Sequence, residues 1–229
     1  ELIVHRKDEL TDLQTIVQRS EPDDMAQHTI LTGPPGTGKT MLTKYLRRQI
    51  DQRDEYTTAY VDCWQDYNDY HVLFEACSNL TTDVVLHRNS TSRSKLVDKL
   101  LEDPAQQRVL ILDEADMIEK NGPLEILAEC PQTHIFHIVN ELDDLFDGLN
   151  GYTRSLLEAG DTLKFPAYVV GELSEILHRR AETAFTAGAP EQRALERLAS
   201  LADGDARLAI AGLIEAYGLA RNVSSIPQH

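Results

Sequence analysis

The amino-acid sequence predicts an α/β fold, in which a parallel sheet flanked by helices is followed by a small domain of three helices. Three observations support this prediction. Strand-like and helix-like segments alternate through most of the 229 residues, which is typical of βαβ crossovers. A glycine-rich segment at 33–40 separates the first strand from a helix, and beyond residue 171 the hydrophobic periodicity is helical only. We therefore predict a core at 1–168 and a helical lid at 169–229.

The elements follow from the spacing of apolar residues. Short runs rich in β-branched and aromatic residues indicate strands, and apolar residues three or four apart indicate helices. The segment 108–112 is continuously apolar, which predicts a strand near the centre of a parallel sheet covered on both faces. We predict strands at 28–32, 57–62, 108–112 and 134–139, and helices at 8–17, 41–50, 72–80, 94–102, 171–185, 190–202 and 205–221.

The composition is that of a globular protein without a membrane segment. No apolar run approaches the ~20 residues that a spanning helix needs, and no signal peptide is recognisable. We therefore expect no membrane partner. The cysteines Cys63, Cys77 and Cys130 are scattered and lack the spacing of a metal site. They predict reduced core thiols and a cytoplasmic protein.

The net charge of −16 is the unusual feature of the composition. One interpretation is a soluble enzyme without a nucleic-acid partner, because an acidic surface repels nucleic acid. The other is a halophilic protein, whose carboxylate-rich surface keeps it in solution at high salt. The small number of lysines, 7 against 15 arginines, favours the second interpretation.

The segment 33–40 fits the phosphate-loop pattern G-x-x-x-x-G-K-[ST] at every required position. A chance glycine-rich turn is the alternative, but the strand before it and the helix after it are the setting that the motif requires. Lys39 is expected to reach the β and γ phosphates of ATP or ADP, and the Thr40 hydroxyl to bind Mg²⁺. The predicted nucleotide-binding residues of this segment are Gly33, Pro34, Pro35, Gly36, Thr37, Gly38, Lys39, Thr40 and Met41.

Two carboxylates follow the apolar strand at 108–112. In doubly wound sheets ligands bind at the carboxyl ends of the strands, so this strand end is expected beside the phosphate loop. We predict that Asp113 holds Mg²⁺ and that Glu114 polarises the attacking water. Residues 113–116 also spell the tetrapeptide of a helicase family, but two motor lobes do not fit in 229 residues. Asn140, at the next strand end, either contacts the γ phosphate or water, or simply ends the strand in a turn.

These motifs, taken in order, resemble the AAA+ ATPases. The segment Gly204-Asp205-Ala206-Arg207 and the helix after it are similar to the lid motif of archaeal and eukaryotic origin-recognition and helicase-loader proteins. Residues 3–6, 60–63 and 165–168 also resemble that clade. The resemblance covers nearly the whole chain, and it implies an ATP-hydrolysing switch between ATP and ADP states.

The resemblance also implies roles for residues outside the phosphate loop. Arg207 would be the second sensor of the γ phosphate, and Arg154 an arginine finger acting on a neighbouring subunit. Ile3, Val4, Tyr168 and Arg180 would contact the nucleotide. Periodicity also places Arg180 on an apolar stripe, where it would need an anion unless it extends to the rim. The stripe comprises Leu173, Ile176, Leu177, Arg180 and Ala184.

The partners that the resemblance implies are DNA, other AAA+ subunits and a replicative helicase. Arg88, Arg93 and Lys95 lie where initiators insert a DNA-contacting element, although a solvated loop is the alternative. Members of the clade usually continue into a winged-helix domain, and none is recognisable before His229. We therefore expect a cut chain or a reduced paralogue that binds DNA weakly. Another AAA+ regulator (a clamp-loader, transposition or defence ATPase) and a nucleotide-occupied scaffold with little hydrolysis remain as alternatives.

Overall fold

A computed structural model describes residues 3–19, 25–81, 84–119, 122–184 and 190–224. The chain divides into two compact units. The sheet unit comprises Asp8–Gly33 and Lys39–Lys164, and the helical unit comprises the described residues of Glu1–Lys7, Pro34–Gly38 and Phe165–His229. The domain boundary after residue 168 stays a prediction, since this division falls after Lys164 and assigns two earlier segments to the helical unit.

The sheet unit is built on five parallel strands in the order β2-β3-β4-β1-β5. All seven residues of β4 are buried, because β4 pairs with β3 on one side and β1 on the other. Since every strand runs in the same direction, their carboxyl ends form one edge of the sheet. The strands are β1 (Gln27–Thr32), β2 (Tyr56–Asp62), β3 (Gln107–Asp113), β4 (Thr133–Val139) and β5 (Asp161–Lys164).

Helices cover the sheet and supply its core. Apolar side chains of β3 and β4, including Leu110 and Phe136, are fully buried together with Leu73 and Leu96 from the helices. This burial on both faces explains the continuous apolar run of β3. The helices that precede Phe165 in the chain are α1 (Lys7–Arg19), α2 (Lys39–Ile50), α3 (Asp69–Leu80), α4 (Arg93–Leu101), α5 (Gly122–Ala128), α6 (Leu142–Phe146) and α7 (Gly151–Ala159), with a 3₁₀ turn at Ala115–Met117.

In its described residues, the helical unit consists of three helices, as predicted. They are α8 (Val170–Ala184), α9 (Gln192–Leu201) and α10 (Ala206–Ser224), and they enclose a core of Leu173, Leu177, Ala181, Leu195, Ala199, Ala209 and Leu213. The α/β fold with a parallel sheet is therefore confirmed. Within the described residues, no helix combines the length and the apolar composition that crossing a membrane requires.

The structure corrects the placement of Arg180. The buried residues of α8 are Leu173, Ser174, Leu177 and Ala181, whereas Arg180 and Ala184 are exposed. The buried face thus follows an i, i+4, i+8 path through residue 181, and it does not turn back through 180 and 184. Arg180 is therefore not a buried cation that needs an anion, contrary to the prediction from periodicity. The end of the predicted helix 171–185 lies outside the described residues.

Candidate functional site

Three glycines shape the phosphate loop. Gly33, Gly36 and Gly38 have φ angles of 147°, 74° and 99°, in the region that residues with a Cβ atom rarely adopt. Helix α2 begins directly after them at Lys39. A loop of this kind at a helix N-terminus presents backbone N–H groups to an anion, which fits a nucleotide phosphate.

Lys39 and Asn140 are brought together at the carboxyl edge of the sheet. The Lys39 side chain is buried, and its Nζ donates to the Gly33 carbonyl and, at 3.4 Å, to Oδ1 of Asn140. The Thr32 hydroxyl donates to the Asn140 carbonyl at 3.2 Å. A cation beside an amide at this edge can bind phosphate oxygens.

Thr40 and Asp113 form the pair that would hold the metal. The Thr40 hydroxyl donates to Oδ1 of Asp113 at 3.0 Å, and Asp113 is only 7% exposed. A hydroxyl and a carboxylate are the hard oxygen ligands that Mg²⁺ prefers, and few protein ligands suffice because the nucleotide phosphates and water supply the rest. The side chains present therefore fit a magnesium ion.

Glu114 has a strained backbone. Its φ and ψ angles are 54° and 49°, the left-handed conformation, and its carbonyl accepts a hydrogen bond from the Met117 N–H at 2.9 Å. A non-glycine residue in this conformation is uncommon, and such residues cluster at functional sites. Glu114 directly follows Asp113, the predicted metal ligand at the end of β3.

Asp116 is a residue of this edge that the sequence analysis treated only as part of a helicase tetrapeptide. Its Oδ2 accepts a hydrogen bond from the Asn140 N–H at 3.3 Å, so it holds the strand end that carries the Asn140 amide. Burial raises the pKa of the Asp116 carboxyl above its ordinary value. No pattern in the sequence indicates this contact.

In the helical unit, Arg6 connects three separate stretches of the chain. It is 4% exposed, donates from Nε to the Thr37 carbonyl at 3.1 Å, and donates from Nη2 to the Pro166 carbonyl at 2.6 Å. Its guanidinium lies 4.1 Å from the ring centroid of the buried Tyr168. Arg6 thus fixes Thr37 of the phosphate loop, although the sequence analysis assigned contacts only to the half-buried Ile3 and Val4 beside it.

Asp205 lies against the phosphate loop within the same unit. A Cβ atom on Gly36 would lie 1.8 Å from Oδ1 of Asp205, so both this approach and the positive φ angle require glycine. Asp205 accepts hydrogen bonds from the backbone N–H groups of Arg207 and Leu208 at 2.7 and 3.3 Å, which caps α10. Nη2 of Arg207 is 3.1 Å from Oδ2 of Asp205. The predicted second sensor is thus held by the cap residue of its own helix.

The other predicted arginines lie on the surface. Nε of Arg154 is 2.8 Å from Oε1 of Glu158, and its guanidinium lies 5.1 Å from the Phe146 ring centroid. Arg180 is exposed on α8. Their roles as an arginine finger and a nucleotide contact stay predictions.

The predicted DNA-contacting arginines are engaged by carboxylates. Arg88 pairs with Asp66 and lies 3.8 Å from Glu75, while Nη2 of Arg93 donates to Oδ1 of Asp69 at 3.0 Å. These pairs link Arg88 and Arg93 to α3 and to the loop before it, and they offset part of the positive charge. Lys95 is exposed in the first turn of α4. Contact with DNA by these residues stays a prediction.

A family model described as AAA domain matches residues 23–148, more than half of the chain. The chain belongs to the AAA family. This AAA chain is 29% identical to ORC1-type DNA replication proteins 9 and 1 of Halobacterium salinarum, with 91% and 97% of its own length aligned. The aligned segments span 59% and 73% of those two relatives.

A solved structure with the same fold is that of the Aeropyrum pernix ORC1 protein in complex with DNA. Its TM-score to the AAA chain is 0.75 at 25% sequence identity, with 96% of this chain and 61% of the other aligned. The parallel sheet flanked by helices is thus the P-loop fold of the Orc/Cdc6 proteins.

Proposed function

We propose that this AAA protein is an ATP-binding and ATP-hydrolysing switch of the DNA replication initiator and helicase-loader type. One observation carries the proposal. At the carboxyl edge of the sheet, Lys39 contacts Asn140 and Thr40 contacts Asp113, and in the chain Lys39 follows a loop whose three glycines have positive φ angles. These features support a phosphate-binding loop and a magnesium site.

Each residue of this edge has a proposed task. Lys39 binds the β and γ phosphates as a point charge, and Thr40 and Asp113 hold Mg²⁺, which neutralises charge that develops on the phosphates. Glu114 polarises the attacking water, and Asn140 orients it or the γ phosphate. We also propose, from the ORC1-type relatives, that the chain binds DNA, other AAA+ subunits and a replicative helicase. These partners are proposals because the aligned segment spans only part of those relatives.

The test separates nucleotide binding from turnover. We expect wild type to bind a fluorescent ATP analogue and to release phosphate slowly from ATP with Mg²⁺. Lys39→Ala should abolish binding, because it removes the point charge that holds the phosphates. Glu114→Gln should bind normally and lose turnover, because the binding donors remain and only the water-polarising carboxylate is removed.

Lys99→Ala is the matched control, because it removes a lysine of α4 that pairs with Glu102, and α4 supplies none of the proposed nucleotide-binding residues. It should leave both binding and turnover unchanged. Absence of nucleotide binding by wild type would contradict the proposed function. Equal loss of binding in Glu114→Gln would contradict the task given to Glu114 alone.

A further inference from the structure

Asp113 is held by two hydroxyl groups, one on each carboxylate oxygen. Thr40 donates to Oδ1 at 3.0 Å, and the phenol of Tyr60 donates to Oδ2 at 2.6 Å. The first partner belongs to the phosphate-loop motif. The second comes from β2 and has no part in the function proposed above.

The register of the sheet explains why Tyr60 reaches this carboxylate. On adjacent strands β2 and β3, Tyr60 is the partner of Ile111 and Asp62 is the partner of Asp113. Tyr60 and Asp113 are therefore diagonal neighbours on the same face, a separation that a long aromatic side chain spans. The contact follows from strand pairing.

The surroundings of the Tyr60 ring direct its hydroxyl at Asp113. The exposed Lys44 places its Nζ 4.4 Å from the ring centroid, which anchors the aromatic ring by its face and leaves the hydroxyl directed at Asp113. A tyrosine hydroxyl donates this hydrogen bond, because an ionised carboxylate can only accept.

We propose that Tyr60 is a positioning residue for the magnesium site, which orients the Asp113 carboxylate through its Oδ2 atom. This inference rests on the proposed function. Mg²⁺ demands near-ideal octahedral geometry, so a carboxylate free to rotate holds it less well than one fixed at both oxygens. Groups that orient a metal ligand typically change metal affinity 10- to 100-fold when they are removed.

Tyr60→Phe in the full chain tests the proposal, because it removes the hydroxyl and retains the ring and its contact with Lys44. Binding of a fluorescent ATP analogue is titrated with MgCl₂ and repeated in EDTA, and turnover is followed across the same MgCl₂ series. The Mg²⁺ concentration for half-maximal effect should rise by about tenfold in both assays. Affinity in EDTA should stay unchanged, because the phosphate contacts of Lys39 remain.

Tyr56→Phe is the matched control, since Tyr56 is half-buried on the same face at the opposite end of β2. Its binding and turnover curves should superimpose on those of wild type in every titration. Unchanged Mg²⁺ curves for Tyr60→Phe would overturn the proposal while leaving the proposed function intact. An equal loss of affinity with and without Mg²⁺ would also overturn it, because that result indicates a general structural role. A wild type that binds no nucleotide would overturn both.

Discussion

The Nδ1 atom of His28 lies 3.0 Å from the Nε2 atom of His137, and both rings are buried between β1 and β4. On the other face of the same strands, the Thr29 hydroxyl lies 2.9 Å from Nε2 of His134. Burial lowers the pKa of His28 and of His134 to about 4, and lowers that of His137 well below its ordinary value. The folded sheet therefore holds three neutral imidazoles.

These histidines predict a loss of stability in weak acid. Between pH 6.5 and about 4, the unfolded chain binds protons at His28 and His134 that the folded chain does not. Above pH 6.5 these histidines do not lower the free energy of unfolding, and this free energy falls as the pH drops through the range. We expect each of these two residues to cost about 2 kcal/mol at pH 5, measured by urea denaturation at pH 7.5 and 5.

The double variant His28→Leu/His137→Leu should lose less stability in acid than wild type, because both partners of the buried hydrogen bond become apolar together. The contribution of His134 should remain. The exposed His87→Leu serves as the control and should retain the wild-type slope. A double variant that loses stability in acid as steeply as wild type would refute the assignment to these rings.

The left-handed backbone of Glu114 predicts a conflict between stability and activity. Its φ angle of 54° carries a steric cost that glycine does not have. We expect Glu114→Gly to be more stable than Glu114→Ala by about 1 kcal/mol, although both lack the carboxylate and turn over no ATP. Urea denaturation at pH 7.5 measures the difference. Equal stability of the two variants would show that the strain at this position is relieved elsewhere.

The acidic composition predicts stabilisation by salt. At a net charge of −16 the folded chain repels itself, and this repulsion weakens as the Debye length falls from ~30 Å at 0.01 M salt to ~3 Å at 1 M. The melting temperature should rise clearly between 0.01 M and molar KCl. A melting temperature that stays constant or falls with KCl concentration would favour the interpretation as an ordinary acidic enzyme.

We predict weak duplex binding with little sequence preference. Arg88 and Arg93 already pair with carboxylates, so the segment around α4 offers few positive charges to DNA phosphates. A dissociation constant of about 10⁻⁴ to 10⁻⁶ M at physiological salt is expected, and alanine at Arg88, Arg93 and Lys95 together should weaken it further.

Fluorescence titration of a labelled duplex, with ATP or ADP present, measures this affinity. Alanine at the exposed Arg193 and Arg197 of α9 is the control and should have no effect. Tight and sequence-selective binding by the unmodified chain would show that the DNA surface lies elsewhere. Absence of binding in either nucleotide state would favour partner ATPases over DNA.

The sequence predicted the sheet edge because its residues follow recognisable strands. Thr40 and Asp113 meet because the helix after the phosphate loop begins where the apolar strand ends, and both patterns are local. Strand β5 was missed because four residues with alternating burial give too short a signal. Arg180 was misplaced because one residue of helical rotation, to Ala181, separates the exposed face from the buried one.

Contacts between distant parts of the chain were beyond prediction from one sequence. Arg6 meets Pro166, and Tyr60 meets Asp113, through packing and strand register rather than through any local pattern. The segments that contain these residues were recognised by resemblance. The contact of Tyr60 with Asp113 depends on the strand order β2-β3-β4-β1-β5, which periodicity does not specify.

The complete burial of β4 has a consequence for the lifetimes of its amide protons. A strand paired on both sides and shielded on both faces opens only when most of the sheet unit does, so in D₂O its N–H groups should be among the last to exchange. Asn140 continues directly from this strand. Local fraying of the surface loops therefore leaves the Asn140 side chain in place beside Lys39. Deuterium uptake at the Asn140 backbone N–H should follow that of β4 rather than that of the loop beyond it.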